Sequence, residues 1–207
     1  MQISQVLSAK IALFGDFTLL NPRGLSLRSL HGGLLERYKF LNYSTELDLS
    51  KGVRYGEGEF VYEDKPIGVS VTIFNTGLLV ETLVSTEAAE GFFNDVAEWL
   101  TTIGFRSPKE LITNTVYESQ LVVQAELDIA KSFDKLQAFA KVIGELSGNL
   151  KEQMSGFYVG ADGAQLSTFT FERRAAVPFS QNQYFSRAAL PTSKHIRALK
   201  AIEKILS

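Results

Sequence analysis

The stretch from Gly52 to Phe105 limits the possible folds more than any other part of the chain. It contains three strand-forming runs followed by one amphipathic helix. Asn75-Thr76-Gly77 separates the second run from the third, with glycine where a short hairpin loop needs a positive φ. Ser85 and Glu87 then supply a cap and an acidic first turn, which predict the start of a helix. Strands joined by such short turns predict an antiparallel sheet.

The predicted elements follow the order β-α-β-β-β-α twice along the chain. The first repeat covers residues 1–105 and the second covers 106–207, and corresponding elements begin roughly 106 residues apart. The two halves share no common sequence motif. The pattern predicts an α+β protein with antiparallel sheets that carry helices on one face. We expect an internal duplication whose two halves pack as one compact unit.

Three local predictions accompany this pattern. The glycine pair Gly32-Gly33 lies in the first predicted helix and favours a kink or a break there. In the second repeat, Asp162-Gly163 predicts a hairpin. The helix predicted between residues 130 and 146 places five apolar side chains toward the core. These are Phe133, Leu136, Phe139, Ala140 and Ile143.

The order of elements is similar to that of the TATA-binding-protein type of fold, in which two repeats form a saddle. The resemblance lies in element order, and it implies a duplicated α+β fold. The formal net charge of the chain at pH 7 is −2. This slight acidity argues against the DNA-binding role of that family, since DNA-binding surfaces are basic.

The amino-acid composition limits the kinds of site that the chain can form and the cellular compartment in which we expect it. There is no cysteine, which excludes disulfides, thiolate zinc sites, iron–sulfur clusters and a cysteine nucleophile, and fits a reducing compartment. No apolar run approaches the roughly 20 residues that span a bilayer. The first ten residues lack the basic start and apolar centre of a secretion signal. We therefore expect a cytoplasmic protein without a membrane partner.

Charge is distributed unevenly between the two halves. Residues 57–118 contain eleven acidic side chains and three basic ones, whereas residues 171–207 contain seven basic side chains and two acidic ones. Such polarity can guide self-association or attract a charged partner.

The sequence carries no recognisable catalytic or cofactor motif. The two histidines, His31 and His195, lie far apart in the sequence and do not form a histidine-rich metal centre, so we expect no metal and no cofactor. No serine lies in a nucleophile-elbow motif, and no glycine-rich phosphate loop follows a strand. Pairs such as Glu57 and Glu59 are more typical of a solvated strand face than of an acid–base dyad.

A group of basic and aromatic residues near the carboxyl terminus is a candidate binding site for a ligand or a partner. Phe169, Phe171 and Arg173 alternate on one face of a predicted strand. Bases and aromatic residues interleaved on a sheet are typical of single-stranded nucleic-acid binding. The alternative is that the phenylalanines belong to the core. The candidate residues are Arg173, Arg174, Tyr184, Arg187, Lys194, His195 and Arg197.

The sequence as a whole favours a non-catalytic interaction or assembly protein in a homo- or hetero-oligomeric complex. The alternative is a nucleic-acid or nucleotide binder that uses the basic carboxyl-terminal residues. A third class, an enzyme with carboxylates converging from both halves, would require a pocket with a raised carboxylate pKa.

Overall fold

The computed structural model describes residues 1–126, 129, 134–147, 154–160 and 167–206. The described residues form an α+β fold built from antiparallel strands and helices. The strands are β1 (Gln2–Gly15), β2 (Asn42–Tyr43), β3 (Val53–Tyr62), β4 (Lys65–Phe74), β5 (Gly77–Thr82), β6 (Ile112–Gln124), β7 (Gly156–Gly160), β8 (Ser167–Arg173) and β9 (Gln183–Ala188). The helices are α1 (Leu27–Tyr38), α2 (Thr86–Thr102), α3 (Asp134–Ser147) and α4 (Thr192–Leu206).

The predicted repeat of elements is confirmed, because β1-α1-β3-β4-β5-α2 is followed by β6-α3-β7-β8-β9-α4. The first repeat also contains the two-residue strand β2. Contacts divide the chain into two compact units. The first unit comprises Ser8–Ser119 with Leu190–Thr192, and the second comprises Met1–Leu7, Gln120–Ala189 and Ser193–Ser207. That the halves 1–105 and 106–207 arose by duplication stays a prediction.

The sheet of the first unit runs in the order β2-β3-β4-β5-β1-β6. The pairings of β3 with β4, β4 with β5 and β5 with β1 are antiparallel, and they align Tyr55 with Val71, Val71 with Val80, and Val80 with Ile11. All four side chains are buried. This row of apolar residues forms the sheet side of the core, as expected where one sheet face is covered by helices.

Helix α2 covers that face because its apolar residues recur at helical spacing. The Ser85 hydroxyl accepts a hydrogen bond from the backbone N–H of Ala88 and caps the helix. Phe92, Phe93, Val96 and Leu100 are buried on the inner side of α2. The cap and the core face predicted from the sequence are thus both present.

Thr86, at the start of α2, and Thr192 form reciprocal hydrogen bonds within the first unit. The Thr86 N–H donates to Thr192 Oγ1 at 3.0 Å, and the Thr192 N–H donates to Thr86 Oγ1 at 2.8 Å. Both residues are buried, so these bonds satisfy two backbone donors that a helix start leaves without an intrahelical partner.

Helix α1 runs without a break through the glycine pair, so of the kink or break favoured by the sequence the break is absent. A Cβ atom built on Gly33 would lie 2.6 Å from Cζ2 of Trp99, whereas one built on Gly32 would meet nothing within 4 Å. The absence of a side chain at Gly33 therefore allows α1 to approach α2 closely. Gly32, in contrast, lies at an exposed helix position.

In the second unit, β6, β9, β8 and β7 are neighbours in that order. Strands β8 and β9 pair antiparallel, with Phe171 opposite Ser186. Helix α3 buries Ala140, but Phe139 and Ile143 are exposed, which corrects the prediction that both face the core. Phe133, the Leu136 side chain and the predicted hairpin at Asp162-Gly163 lie outside what the structure describes.

Among the described helices, none is both long enough and apolar enough to cross a membrane.

Alanine substitutions at the two glycines should have opposite effects on stability. Gly32→Ala should raise the free energy of unfolding by about 0.5–1 kcal/mol, because alanine favours an exposed helix position. Gly33→Ala should lower it by about 1–3 kcal/mol, because the methyl group would overlap the Trp99 ring. Urea unfolding monitored by circular dichroism measures both. Equal shifts in the two variants would contradict the close approach of α1 to Trp99.

Candidate functional site

The predicted binding residues lie on three elements of the second unit. Arg173 ends β8 and Arg174 follows it, Tyr184 and Arg187 lie on β9, and Lys194, His195 and Arg197 lie in the first two turns of α4. Whether they bind a ligand stays a prediction. Their contacts show which of them share a surface.

Arg173 and Tyr184 form a local packing unit. They lie opposite each other in the β8–β9 register, and the guanidinium carbon lies 5.3 Å from the centre of the tyrosine ring. Arg173 Nη2 also donates to the carbonyl of Pro178 at 2.7 Å. Tyr184 is buried and stacks on Phe171 with ring centroids 4.6 Å apart. The rings that could have stacked on bases are therefore part of the core.

His195 is also a core residue. It is fully buried, and its Nε2 lies 2.8 Å from Ser186 Oγ. The Ser186 hydroxyl already donates to the carbonyl of Thr170, so Nε2 carries the proton and donates to Ser186. Burial lowers the pKa of His195 to about 4, so the imidazole is neutral near pH 7 and does not supply charge for an anion.

Arg187 lies on the sheet face opposite Tyr184. Strand β9 alternates buried Tyr184, Ser186 and Ala188 with half-buried Gln183, Phe185 and Arg187. Because successive strand residues point to opposite faces, Arg187 does not share a surface with the Tyr184 side chain. Arg174 is half-buried, and its Nη1 donates to Gln183 Oε1 at 3.3 Å.

The basic residues of α4 do form a shared surface. Lys194, Arg197 and Lys200 are exposed and follow one another at intervals of three residues, and we call them the basic ridge. Such spacing places side chains along one side of a helix. None of the three takes part in an ion pair within the described part of the chain. Lys200 is not among the residues predicted for the site, although its spacing of three residues from Arg197 is a usable sequence signal.

A second surface feature, not foreseen from the sequence, lies on α3. Phe139, Val142, Ile143 and Leu146 have 61%, 49%, 40% and 80% of their surface exposed, respectively. Their spacing, i, i+3, i+4 and i+7, puts them on one side of the helix, and we call them the apolar stripe. Lys141 and Glu145, also exposed, lie outside it.

The acidic part of the sequence presents exposed carboxylates along the β3–β4 hairpin of the first unit. Glu57, Glu59, Glu63 and Asp64 are all exposed. Glu59 pairs with Lys39 at 2.9 Å. Glu63 and Asp64 form the tight turn with φ of 48° and 61°. Within the described residues, no group of three or more histidine or acidic side chains has the geometry to hold a metal ion.

Comparisons with known proteins leave the function of these surfaces open. No family model and no curated protein matches the chain. Among solved structures, the chain is similar to Methanococcus jannaschii TBP, with 14% sequence identity and a TM-score of 0.45. The match covers 99% of this chain and 97% of that one. At this level of likeness, no conclusion about function follows.

The buried neutral His195 predicts acid sensitivity. An unfolded histidine takes up its proton near pH 6.5, whereas folded His195 does so only near pH 4. Between these values the unfolded state binds more protons, so stability falls as the pH falls. The loss should reach roughly 3 kcal/mol at about 1.4 kcal/mol per pKa unit.

Urea unfolding between pH 7 and pH 4.5 measures how the free energy of unfolding depends on pH. It should be carried out on the wild-type protein and on His195→Asn, whose side chain keeps a hydrogen-bond donor but does not titrate. The variant should be less stable at every pH, but its stability should fall less steeply. Parallel pH dependences would show that His195 does not contribute.

Proposed function

We propose that the protein is a non-catalytic assembly component that associates with further copies of itself through the apolar stripe on α3. The observation that supports this most directly is the exposure of four large apolar side chains on one helix face. Single exposed apolar residues are ordinary, but a contiguous apolar patch is typical of a protein interface. The proposal keeps the cytoplasmic location expected from the sequence.

A second copy of the chain is the favoured occupant of the stripe because of its charge. In a two-fold dimer the same patch meets itself, so a charged patch would repel its copy. Phe139, Val142, Ile143 and Leu146 carry no charge, and the exposed charges Lys141 and Glu145 have opposite signs. Two copies of the stripe can therefore meet without like-charge repulsion.

The basic ridge on α4 has the opposite property. Lys194, Arg197 and Lys200 would repel a second copy of the same ridge, so this surface suits an acidic partner. The two surfaces thus support different kinds of contact, and only the stripe suits symmetric self-association.

Replacing stripe residues with aspartate should dissociate the assembly. Val142→Asp and Leu146→Asp should each weaken self-association at least tenfold, because a carboxylate would lose its hydration in the contact. Light scattering after size exclusion, across a range of protein concentrations, measures the mass. Leu83→Asp is the matched control, since Leu83 is 67% exposed and lies in the first unit.

The proposal requires the wild-type protein to exceed the mass of one chain. A wild-type protein with the mass of one chain at every concentration would contradict it. So would Val142→Asp and Leu146→Asp variants that keep the wild-type mass.

A nucleic-acid contact is the second candidate function, and the basic ridge is the observation that favours it. Three exposed bases along one helix can neutralise backbone phosphates. Phe169, Phe171 and Tyr184 are buried, so the contact we propose involves phosphates rather than stacked bases and should not depend on sequence.

Salt dependence tests this candidate. With three phosphate contacts, a plot of log affinity for a labelled single-stranded oligonucleotide against log salt should have a slope of about −2. Fluorescence anisotropy measures the affinity. The double variant Lys194→Glu, Arg197→Glu should remove most of the binding, whereas Arg28→Glu, at an exposed position on α1, should not. A lack of binding at low salt would rule the candidate out.

A further inference from the structure

The first unit contains a partly open cavity of about 310 Å³ between its sheet and its helices. Strand β4 contributes Val71 and Ile73, α2 contributes Phe92 and Val96, and α1 contributes Leu30. Phe92 is fully buried and Val71 nearly so. The cavity therefore extends into the hydrophobic core of the unit.

The lining is uncharged. None of the described side chains around the cavity is acidic or basic, and its polar members are Thr18, Asn21, Tyr55 and Asn75. The Asn21 amide is already hydrogen-bonded within the protein. Its Nδ2 donates to the Leu25 carbonyl and its Oδ1 accepts from the Leu25 N–H, both at 2.8 Å. An ionised ligand would find no countercharge here, and burying an unpaired charge is costly.

Tyr55 remains neutral as well. Its hydroxyl lies 3.0 Å from Nδ1 of His31, and burial raises its pKa to about 12. The hydrogen bond to His31 satisfies the phenol group, so the tyrosine presents mainly an aromatic surface. The walls thus favour a ligand that is itself uncharged and largely apolar.

The volume indicates the size of such a ligand. Protein interiors are close-packed, with few voids larger than a water molecule. A cavity of about 150 Å³ lined by leucine, isoleucine and phenylalanine is known to stay dry and to take up benzene. The 310 Å³ found here is about twice that volume, which corresponds to two fused aromatic rings or an aliphatic group of similar bulk.

The cavity reaches the surface beside the amino-terminal end of α1. Of its lining residues, Thr18 is exposed and Leu27 is 41% exposed. The other end of α1 is anchored, because Arg37 Nη2 donates to both carboxylate oxygens of Asp95 at 3.0 Å and the Tyr38 hydroxyl donates to the same group at 2.6 Å. A ligand would therefore enter on the less anchored side of the helix.

We propose that this cavity is a binding site for a small, uncharged and mostly apolar molecule, of about the size of two fused aromatic rings. The site uses none of the residues of the apolar stripe or the basic ridge. It can therefore be tested independently of self-association.

Naphthalene is a suitable probe, because it has two fused rings and no charge. Adding it to the full-length protein should shift the methyl NMR signals of Leu30, Val71 and Ile73 in a saturable manner. The methyl signals of Leu121 and Val123, buried in the second unit, should stay unchanged. The carboxylate analogue 1-naphthoate should bind at least tenfold more weakly, because the lining offers it no cation.

Filling the cavity gives a second test. Leu30→Phe and Val71→Phe add bulk to its walls and should weaken naphthalene binding at least tenfold, with melting temperatures equal to or above that of the wild-type protein. Leu83→Phe adds the same group at an exposed position of the same unit and should leave binding unchanged.

Three results would overturn the proposal. Saturating naphthalene could leave the lining methyl signals unmoved, or 1-naphthoate could bind as well as naphthalene. A lower melting temperature in both Leu30→Phe and Val71→Phe would show that the core is already filled, because overpacking a filled core destabilises it.

Discussion

The packing of Phe92 holds the first unit together. Its ring is fully buried on α2 and meets the rings of Tyr38, Phe40 and Phe60 at centroid distances of 4.9, 6.4 and 5.6 Å. Through these contacts one side chain joins α1, the segment after it and strand β3. Loss of a buried phenylalanine costs about 3–5 kcal/mol, a large share of the 5–15 kcal/mol that keeps a typical domain folded. Asp95, less than one turn further along α2, adds the polar bonds that fix the end of α1.

The helices of the two units use their apolar residues differently. Helix α2 buries its large apolar side chains against the sheet, and its cap and periodicity agree with that single orientation. Among residues 139–143 and 145–147 of α3, whose burial the structure describes, the small Ala140 is buried, while Phe139 and Leu146 are exposed. The apolar stripe of α3 is thus exposed, whereas the large apolar residues of α2 such as Phe92 and Phe93 are buried in the core.

Much of the fold could be predicted from sequence, because turn residues and periodicity determine local structure. Strand β3 and helix α2 begin at the expected residues, since Gly52 and Ser85 mark their starts.

The orientation of α3 could not be predicted, because its apolar residues cover more than one side and periodicity alone does not select the side that faces the sheet. Alternation correctly placed Phe171 and Arg173 on one face, but a single strand does not reveal which face a helix covers. For that reason Tyr184, expected at a binding surface, lies in the core, and His195 lies in the core on the covered side of helix α4. The cavity has no sequence signal, because it depends on how well distant side chains fill space together.

The contact between Gly33 and Trp99 gives the molecule a built-in optical reporter. The chain contains a single tryptophan, and its indole ring packs against the backbone of α1 at Gly33. The ring is half-buried, so its emission wavelength depends on whether α1 shields it from water. Movement of α1 away from α2 would shift that emission to the red, so the position of this helix can be followed in solution without attaching a dye.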